Sequence, residues 1–359
     1  MHTRSPRRPL HGIYRRQLRG LLPFPEREEN RLGALTIGHG AGGSLTQELI
    51  SLITGHFDAN PRADGEDCAI LPDGFAVTID GYTVSPLSFN GGDIGKLSVC
   101  GSANDLSVRG ARPQYLALGV IAEEGLPIRE LMTYMESAAN VCRSLGIELV
   151  TGDSKVVPRG QVDGLFLSTC CIGRTTQTTP LGAANLRPGD SIILSCPPGM
   201  HGATIAAHRY GLKVRGLSSD CAALWPMIEP LLPVPGLRCM RDCTRGGLGT
   251  VLCEWSEAAG LGIEIDEEMI PWDEATLSVC DILGFDPLHM AGEGCAAIAV
   301  SGEDPDRALG LLRAHSLGER ASVIGRVTEK HQGMVGIRTV SGGTRLVDRP
   351  VGELLPRIC

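Results

Sequence analysis

The chain contains the stretch Asp93-Ile-Gly-Lys-Leu-Ser-Val-Cys-Gly-Ser-Ala-Asn104-Asp105-Leu-Ser-Val108, whose interior is built from small and apolar residues. An aspartate at its start and a glycine just after its end are typical helix boundaries, so we predict one helix here. Asn104 and Asp105 then lie in or beside a packed interface. Because a buried carboxylate without a partner is costly, a bound metal ion is the usual way to neutralise it. The other interpretation is a buried Asn-Asp pair that caps a neighbouring turn.

Three further aspartates stand next to predicted strands or apolar runs. Asp67 precedes an apolar run, Asp80 closes one predicted strand, and Asp153 follows another. Ligands of α/β proteins bind at the carboxyl ends of strands, although a single aspartate there is ordinarily a turn residue. Mg²⁺ takes few carboxylates and shares its coordination shell with nucleotide phosphates. These aspartates and Asp105, together with a glycine-rich loop, therefore suggest a site for Mg-ATP.

Two glycine-rich segments precede predicted helices. The first is Gly38-x-Gly40-x-Gly42-Gly43, and it runs into Ser44-Leu-Thr-Gln47, which has the form of a capping box. Backbone N–H groups at such a helix start can hold phosphate, but the same glycines can equally form a plain flexible turn. The second segment contains Arg245, which is either an anion ligand or an exposed side chain with a solvated head.

Composition limits the class of protein. The chain has 359 residues, enough for two domains, and a formal net charge of −8 without a basic stripe, so we expect no nucleic-acid partner. No apolar run reaches the ~20 residues of a membrane span. The 13 cysteines show no regular spacing and no secretory signal accompanies them, which predicts buried free thiols in a reduced, cytoplasmic compartment.

The order of predicted elements indicates an α/β (α+β) protein with four segments. Residues 1–33 are rich in arginine and proline and are predicted to be a disordered basic arm, or the product of a start site placed too far upstream. Residues 34–178 and 184–347 are predicted to form two α/β domains, the second with a helix at 221–232. Residues 348–359 are predicted to be a mobile tail.

The tail ends in Pro356-Arg357-Ile358-Cys359. A thiol at a mobile chain end can travel between sites, and we expect Arg357 to favour the reactive thiolate, against the effect of the terminal carboxylate. Taken alone, the cysteine could be an inert accident. Glu293 stands before the apolar run 295–300, where it is either a positioned base or a surface turn residue.

Taken together, these segments resemble one family, the hydrogenase maturation factor HypE, within the ATP-binding superfamily related to aminoimidazole ribonucleotide synthetase (PurM-like). The resemblance covers about Leu35 to Cys359, and the Pro-Arg-Ile-Cys end is peculiar to this branch. The motifs that carry it are His39-Gly-Ala-Gly-Gly43, Ser85-Pro86, Gly91-Gly-Asp-Ile-Gly-Lys-Leu97, Asn104-Asp-Leu106, Gly110-Ala-Arg-Pro113, Thr151-Gly-Asp-Ser-Lys155, Asp242 and Thr244-Arg-Gly-Gly247.

The resemblance implies a fold, a reaction and partners. The fold is a two-domain architecture in which the N-terminal ATP-binding domain of two subunits closes a β-barrel, followed by a C-terminal α/β domain and a flexible tail. The reaction is the ATP-dependent dehydration of an S-carboxamide on the terminal cysteine to a thiocyanate, which supplies cyanide for the iron of [NiFe]-hydrogenases. The partners are a HypF-type carbamoyltransferase, the HypC-HypD complex and a second copy of the chain.

The resemblance also implies roles for individual residues. Cys359 is the carrier, and Glu293 and Lys155 are the pair that moves protons. The Mg²⁺ ligands are Asp67, Asp80, Asp105 and Asp153. The ATP contacts are Gly40, Gly42, Gly43, Asn104, Asp153 and Arg245.

Two other functions remain compatible with parts of the pattern. An ATP-dependent small-molecule kinase or synthetase of the same superfamily would use the aspartates and the glycine loop, but it has no need of a terminal cysteine. A non-catalytic thiol carrier or scaffold would use the cysteine, but it leaves the aspartates without a purpose.

Overall fold

The structure is a computed structural model, and it describes residues 34–40, 43–58, 65–175, 177, 180–350, 355 and 357–359. The arm predicted at residues 1–33 lies outside these residues, and so does Gly42. Residues 37–359 form one compact unit. None of the helices in the described ranges combines the length and the apolarity that a membrane crossing needs.

The N-terminal part of this unit is built on a five-stranded sheet in the order β1-β2-β7-β5-β6. The pair β5 and β6 is parallel, and the other pairs are antiparallel. Side chains of β7 alternate between buried and partly buried positions, as expected for a sheet with one face against helices. The strands are β1 (Ala69–Ile70), β2 (Phe75–Tyr82), β5 (Ala111–Glu123), β6 (Glu148–Val157) and β7 (Leu165–Thr175), and β3 (Ser88–Phe89) with β4 (Gly92–Asp93) forms a separate ribbon.

Helices α1 (Ser44–Thr54), α2 (Ile94–Val108) and α3 (Ile128–Leu145) belong to this part. Helix α2 confirms the helix predicted from the sequence, and Asp93 caps it by accepting a hydrogen bond from the Lys96 N–H at 2.9 Å. Its small residues allow close packing, since a Cβ at Gly95 would overlap the Tyr134 carbonyl of α3. The N-cap of α1 is Gly43, one residue before the predicted position, and a Cβ at Gly43 would overlap the Pro350 carbonyl oxygen.

The C-terminal part is built on a seven-stranded sheet in the order β14-β13-β10-β12-β8-β11-β9. Strands β10 and β13 are parallel and the remaining neighbours are antiparallel. Strand β11 is buried on both faces, so it reads as a continuous apolar run. The strands are β8 (Ser191–Leu194), β9 (Leu237–Asp242), β10 (Gly262–Asp266), β11 (Ala296–Val300), β12 (Ser322–Thr328), β13 (Val335–Arg338) and β14 (Thr344–Val347).

The helices of this part are α4 (Met200–Arg209), α5 (Trp225–Ile228), α6 (Gly247–Ala259), α7 (Glu274–Leu283) and α8 (Pro305–Arg313). The helix predicted at 221–232 is shorter than expected, because only α5 and a following 3₁₀ turn are helical there. One buried cluster joins the two parts, with Leu97 and Tyr134 on one side and Ile205 and Val279 on the other. Leu355 of the tail is buried in the same cluster.

Candidate active site

Three carboxylates from distant parts of the chain meet where the two parts of the fold are in contact. Asp67 precedes β1, Asp105 lies on α2 and Asp242 ends β9, and one carboxylate oxygen of each lies within 4.8 Å of the others. We call Asp67, Asp105 and Asp242 the acidic cluster. It combines two side chains from the N-terminal part with one from the C-terminal part.

The acidic cluster is only partly neutralised by its surroundings. Arg241 Nε bonds Asp67 Oδ1 at 2.8 Å, and Thr78 Oγ1 donates to Asp105 Oδ2 at 2.7 Å. Within the described part of the chain, Asp67 Oδ2 and Asp242 Oδ2 are buried and have no hydrogen-bond partner. Buried carboxylate oxygens of this kind are the ligands that Mg²⁺ prefers, so the residues present fit a divalent cation.

Burial and mutual repulsion raise the pKa of each member of the cluster. Burial is the main cause for all three, and it raises the pKa of Asp105 and of Asp242 well above the ordinary value. The next cause is the charge of Asp80 for Asp105 and the charge of Asp67 for Asp242, whereas Arg241 opposes the shift at Asp67. A cation would relieve this repulsion.

Asp80 lies beside the acidic cluster on β2. The Tyr82 hydroxyl donates to Asp80 Oδ2 at 3.3 Å, and the pKa of Tyr82 is raised well above its usual value, first by burial and then by the Asp80 charge. The Asp80 charge also raises the pKa of Glu293 and of Cys359. Asp80 therefore acts electrostatically on Glu293 and Cys359, two of the three predicted catalytic residues.

The end of the tail is docked against residues 83–85. The Thr83 N–H donates to a backbone oxygen of Cys359 at 2.9 Å, and the Ser85 N–H donates to the Arg357 carbonyl at 3.2 Å, so the two segments run antiparallel. Arg357 Nε donates to the Thr83 carbonyl at 2.8 Å. Leu355 is 5% exposed, and the burial of a leucine side chain contributes about 2 kcal/mol to holding the tail in place.

Docking places Cys359 among charged groups. Burial, together with the charges of Glu293, Asp80 and Asp242, raises the pKa of its thiol to about 12, and the Arg245 guanidinium opposes this shift. Cys359 is in turn the largest cause of the raised pKa of Arg245. The cation that favours the thiolate is thus Arg245 rather than the predicted Arg357, which bonds Thr83 and Asp163.

Glu293 is held rigidly at the start of the run into β11. It is 2% exposed, and its N–H donates to Asp220 Oδ1 at 3.1 Å. Among the described residues its Oε1 is buried without a hydrogen-bond partner. Burial raises its pKa well above the ordinary value, as do the charges of Asp242 and Asp220, while Arg245 opposes them. The side chain is therefore buried and is not a surface turn residue, and its role as a base stays a prediction.

A cavity of about 310 Å³ lies against the docked cysteine. Cys359, Arg245 and Gly246 line it, together with Gly40 of the glycine-rich loop. This arrangement brings the first glycine segment, the second glycine segment and the tail to one place. The cavity leaves space for a small group on the Cys359 sulfur.

This chain is similar to known proteins both in sequence and in structure. The model described as AIR synthase related protein, N-terminal domain, matches residues 65–175, and the one described as AIR synthase related protein, C-terminal domain, matches residues 187–337. The carbamoyl dehydratase HypE of Escherichia coli strain K12 is 42% identical over 337 residues, which cover 90% of this chain and 99% of that protein. The chain belongs to the HypE family.

Two solved HypE structures match the fold. A HypE–HypF complex matches with a TM-score of 0.81 at 38% identity, covering 86% of this chain and 100% of that chain. A HypE in complex with ATP matches with a TM-score of 0.78 at 39% identity, covering 91% of this chain and 100% of that chain. The family is one of carbamoyl dehydratases, and its enzymes act in hydrogenase maturation.

Asn104 connects the two parts of this chain by hydrogen bonds. The Asn104 amide donates to the carbonyls of Ala222 and Glu293 at 3.0 and 3.2 Å, and its oxygen accepts from the Leu224 N–H at 2.8 Å. Asn104 therefore fixes the backbone of Glu293, and its predicted contact with ATP stays a prediction. The capping interpretation therefore fits Asn104, which accepts from the Leu224 N–H. Asp105 belongs to the acidic cluster, where a bound metal ion stays a prediction.

Asp153 and Lys155 lie away from the cluster in a single HypE chain. Both are exposed on β6, where Lys155 Nζ bonds Asp153 Oδ2 at 2.5 Å, and this bond lowers the pKa of Asp153. The registers place Asp80 in line with Gly152 three strands away, about 14 Å at the usual strand spacing. One chain therefore does not bring Asp153 into the acidic cluster, and it leaves Lys155 exposed at the edge of the sheet.

Asp242 is the member of the acidic cluster that we did not predict as a ligand. It stands in the motif before Thr244-Arg-Gly-Gly247, and it ends β9, a strand that the sequence reading did not identify. The rule that placed Asp80 at the end of a strand would have selected Asp242 as well. Gly40 and Arg245 lie at the cavity, and Gly43 caps α1.

Proposed function

We propose that this member of the HypE family dehydrates an S-carboxamide carried on Cys359 to a thiocyanate, at the expense of ATP. The product would supply cyanide ligands for the iron of [NiFe]-hydrogenases. The observation that carries the proposal is the docked tail, because it places Cys359 next to Arg245 and the buried acid Glu293, beside the acidic cluster.

The chemistry accounts for the parts of the site. An amide oxygen cannot leave as hydroxide at neutral pH, but it can leave as phosphate. The carboxamide oxygen attacks the γ-phosphorus of ATP and releases ADP. The resulting imidate then loses phosphate and its remaining nitrogen proton, so that RS–C(O)NH₂ and ATP give RS–CN, ADP and phosphate, with two protons passed to bases.

Within this scheme Glu293 accepts protons at Oε1, the buried oxygen without a hydrogen-bond partner among the described residues. A base that works near neutral pH needs a carboxylate pKa raised above its ordinary range, and burial provides that shift here. Arg245 offsets negative charge next to the Cys359 sulfur. Lys155 would tune the proton transfer from a second subunit.

The acidic cluster is the proposed Mg²⁺ site, with Asp80 beside it. A bound Mg²⁺ would neutralise the cluster and shield the transferring phosphoryl group. Backbone N–H groups of the glycine-rich segment around Gly40 and Gly43 would hold phosphates, since they precede a helix N-terminus at the cavity.

The proposed assembly is a homodimer through the N-terminal domain, residues 34–178, with residues 184–347 as the second domain. Strand β6 is an unpaired edge, and it exposes Leu149, Val150 and Val156 at 60%, 53% and 74%. An apolar edge strand of this kind favours pairing with a second chain. A second copy could then bring Asp153 and Lys155 to the site, which one chain leaves apart.

The proposed partners are a HypF-type carbamoyltransferase, which would load Cys359, and the HypC-HypD complex, which would receive the cyanide, in the cytoplasm. Loading requires a nucleophilic thiolate, and the docked thiol has a pKa of about 12. We therefore propose that the tail, residues 348–359, leaves its docked position to be loaded and returns for dehydration.

The test is mass spectrometry of the full-length protein after loading by the carbamoyltransferase, with and without ATP and Mg²⁺. The C-terminal peptide should lose one water only when both are present. A carbamoyl group that stays unchanged would contradict the proposal and favour a carrier or scaffold. ATP turnover on a free small molecule, without change at Cys359, would favour a superfamily kinase.

A further inference from the structure

A buried histidine holds the docked tail by a backbone atom. His201 is fully buried on α4, and its Nε2 lies 2.6 Å from the Ile358 carbonyl oxygen. Its Nδ1 lies 2.8 Å from Ser219 Oγ, and the Phe89 ring packs edge-on at 5.1 Å between centroids. The imidazole is therefore enclosed and its orientation is fixed.

The direction of these hydrogen bonds follows from the chemistry of the partners. A carbonyl oxygen accepts only, so Nε2 must carry the hydrogen in the bond to Ile358. In a neutral imidazole Nδ1 is then the acceptor, and it takes the Ser219 hydroxyl hydrogen. Ser219 Oγ is free to donate this hydrogen because it accepts from the Cys221 N–H at 3.0 Å. Ser219 thus sets the tautomer that His201 needs.

A second residue of α4 acts on the neighbouring carbonyl. Arg209, the last residue of the helix, donates from Nε to the Ser85 carbonyl at 2.7 Å and from Nη2 to the Arg357 carbonyl. With the Thr83 N–H bonding a backbone oxygen of Cys359, the backbone oxygens of three successive tail residues are held by donors of the folded body. None of these bonds uses the thiol, so the same hold is available when the sulfur carries a group.

The loop that orients His201 also orients Glu293. Asp220 follows Ser219, and its two carboxylate oxygens accept from the N–H groups of Glu293 and Gly294, each at 3.1 Å. Residues 219–220 therefore connect the group that positions the tail with the proposed base. A shift of this loop would move both reacting partners.

We propose that His201 and Arg209 are positioning residues that dock the tail through its backbone carbonyls and so set the Cys359 sulfur against Glu293. This proposal rests on the proposed dehydration only for its catalytic consequence. The docking itself can be tested on the unmodified protein. His201→Leu removes the donor, His201→Gln keeps an N–H donor on a side chain of similar reach, and His208→Leu changes an exposed histidine of the same helix.

The first measurement is the rate at which iodoacetamide alkylates Cys359 in the full-length protein, followed on the C-terminal peptide by mass spectrometry. Loss of one hydrogen bond of about 1.4 kcal/mol should raise the undocked fraction and the alkylation rate about tenfold in His201→Leu. His201→Gln and His208→Leu should stay close to wild type. Equal rates in His201→Leu and wild type would overturn the proposal.

The second measurement is single-turnover dehydration of the carbamoylated protein. His201→Leu should lower the rate about tenfold, because a tail without this bond holds the sulfur less accurately against Glu293 even while it is docked. The affinity for ATP should stay unchanged, and His201→Gln should recover the rate. Should His201→Leu fail to fold, judged by circular dichroism, Arg209→Ala tests the same docking at a half-buried position. If Cys359 of His201→Leu is alkylated faster but wild type shows no dehydration, the proposed function is overturned and the proposed docking stands.

Discussion

Two regions that carry predicted catalytic residues have opposite surroundings. Around the docked tail, Glu293 is 2% exposed, and burial, followed by neighbouring charges, raises the pKa of Cys359 to about 12. On β6, Lys155 and Asp153 are about two-thirds exposed and bond each other. A single chain therefore encloses the first region, the interior half of the proposed site, and leaves the second region, its edge half, at an open sheet edge.

From this difference we expect the two halves to respond differently to amino-acid substitutions. The interior half is held by contacts between distant parts of the chain, such as the hydrogen bonds of Glu293 with Asn104 and with Asp220. The edge half is held by local strand pairing to β5. Substitutions in the interior should act in one chain, and substitutions on the edge should act only in an assembly.

The largest effect is expected for Glu293→Gln. The amide keeps the shape of the side chain but cannot accept a proton, so the dehydration rate should fall roughly 10²- to 10⁴-fold, the usual range for a general base. ATP binding, measured by calorimetry, should remain, because Glu293 is not among the proposed ligands. The exposed Glu303→Gln is the control. Wild-type turnover in Glu293→Gln would move the base elsewhere.

The pH dependence of the unfolding free energy should show that His201 is buried in its neutral form. Burial lowers the pKa of His201 from 6.5 to about 4, so its contribution to stability is present above pH 6.5 and is lost as the pH falls towards 4. Relative to His201→Gln, wild type should lose about 3 kcal/mol of unfolding free energy between pH 7 and pH 4.

Urea unfolding at several pH values measures this difference. The pKa of Asp220 is raised to about 6 by burial, so Asp220 works in the opposite direction and gains stability on acidification. The comparison between wild type and His201→Gln cancels this second contribution, since both proteins keep Asp220. Parallel pH curves for the two proteins would show that His201 is not buried in its neutral form.

Asp242→Asn should have effects of opposite sign on stability and on binding. Without a cation the buried Asp242 carboxylate is repelled by Asp67, so its removal should leave the melting temperature unchanged or raise it. Affinity for Mg-ATP should fall by about tenfold or more, since one of three ligands is lost. Calorimetry and thermal unfolding check both, with exposed Asp281→Asn as control. Unchanged Mg-ATP affinity would remove Asp242 from the ligand set.

The sequence was most informative where a residue signals its surroundings locally. The helix predicted from Asp93 to Val108 is α2, and Asp67 and Asp105 were predicted to be ligands of one site and do lie together. Asp80 was predicted to close a strand and Asp153 to follow one, but both strands continue past these residues, to Tyr82 and to Val157. The order of strands places Asp153 three strands away from Asp80, and sequence periodicity carries no information on strand order.

The residues that dock the tail gave no local signal at all. His201 lies 157 residues before its partner Ile358, inside a helix where a histidine has no diagnostic spacing. Arg209 likewise ends a helix, where a basic residue is expected for other reasons. Contacts between backbone carbonyls and distant side chains depend on tertiary packing, so the structure was needed to find them.

The most direct test of an active site completed by a second chain is complementation between two inactive variants. Lys155→Ala and Glu293→Gln are purified separately, mixed, allowed to exchange subunits, and assayed for ATP-dependent dehydration at Cys359. If a second copy supplies Lys155, a mixed dimer holds one intact site of two, and the mixture should recover about a quarter of the wild-type activity. No recovery despite demonstrated subunit exchange would contradict an active site completed by a second chain.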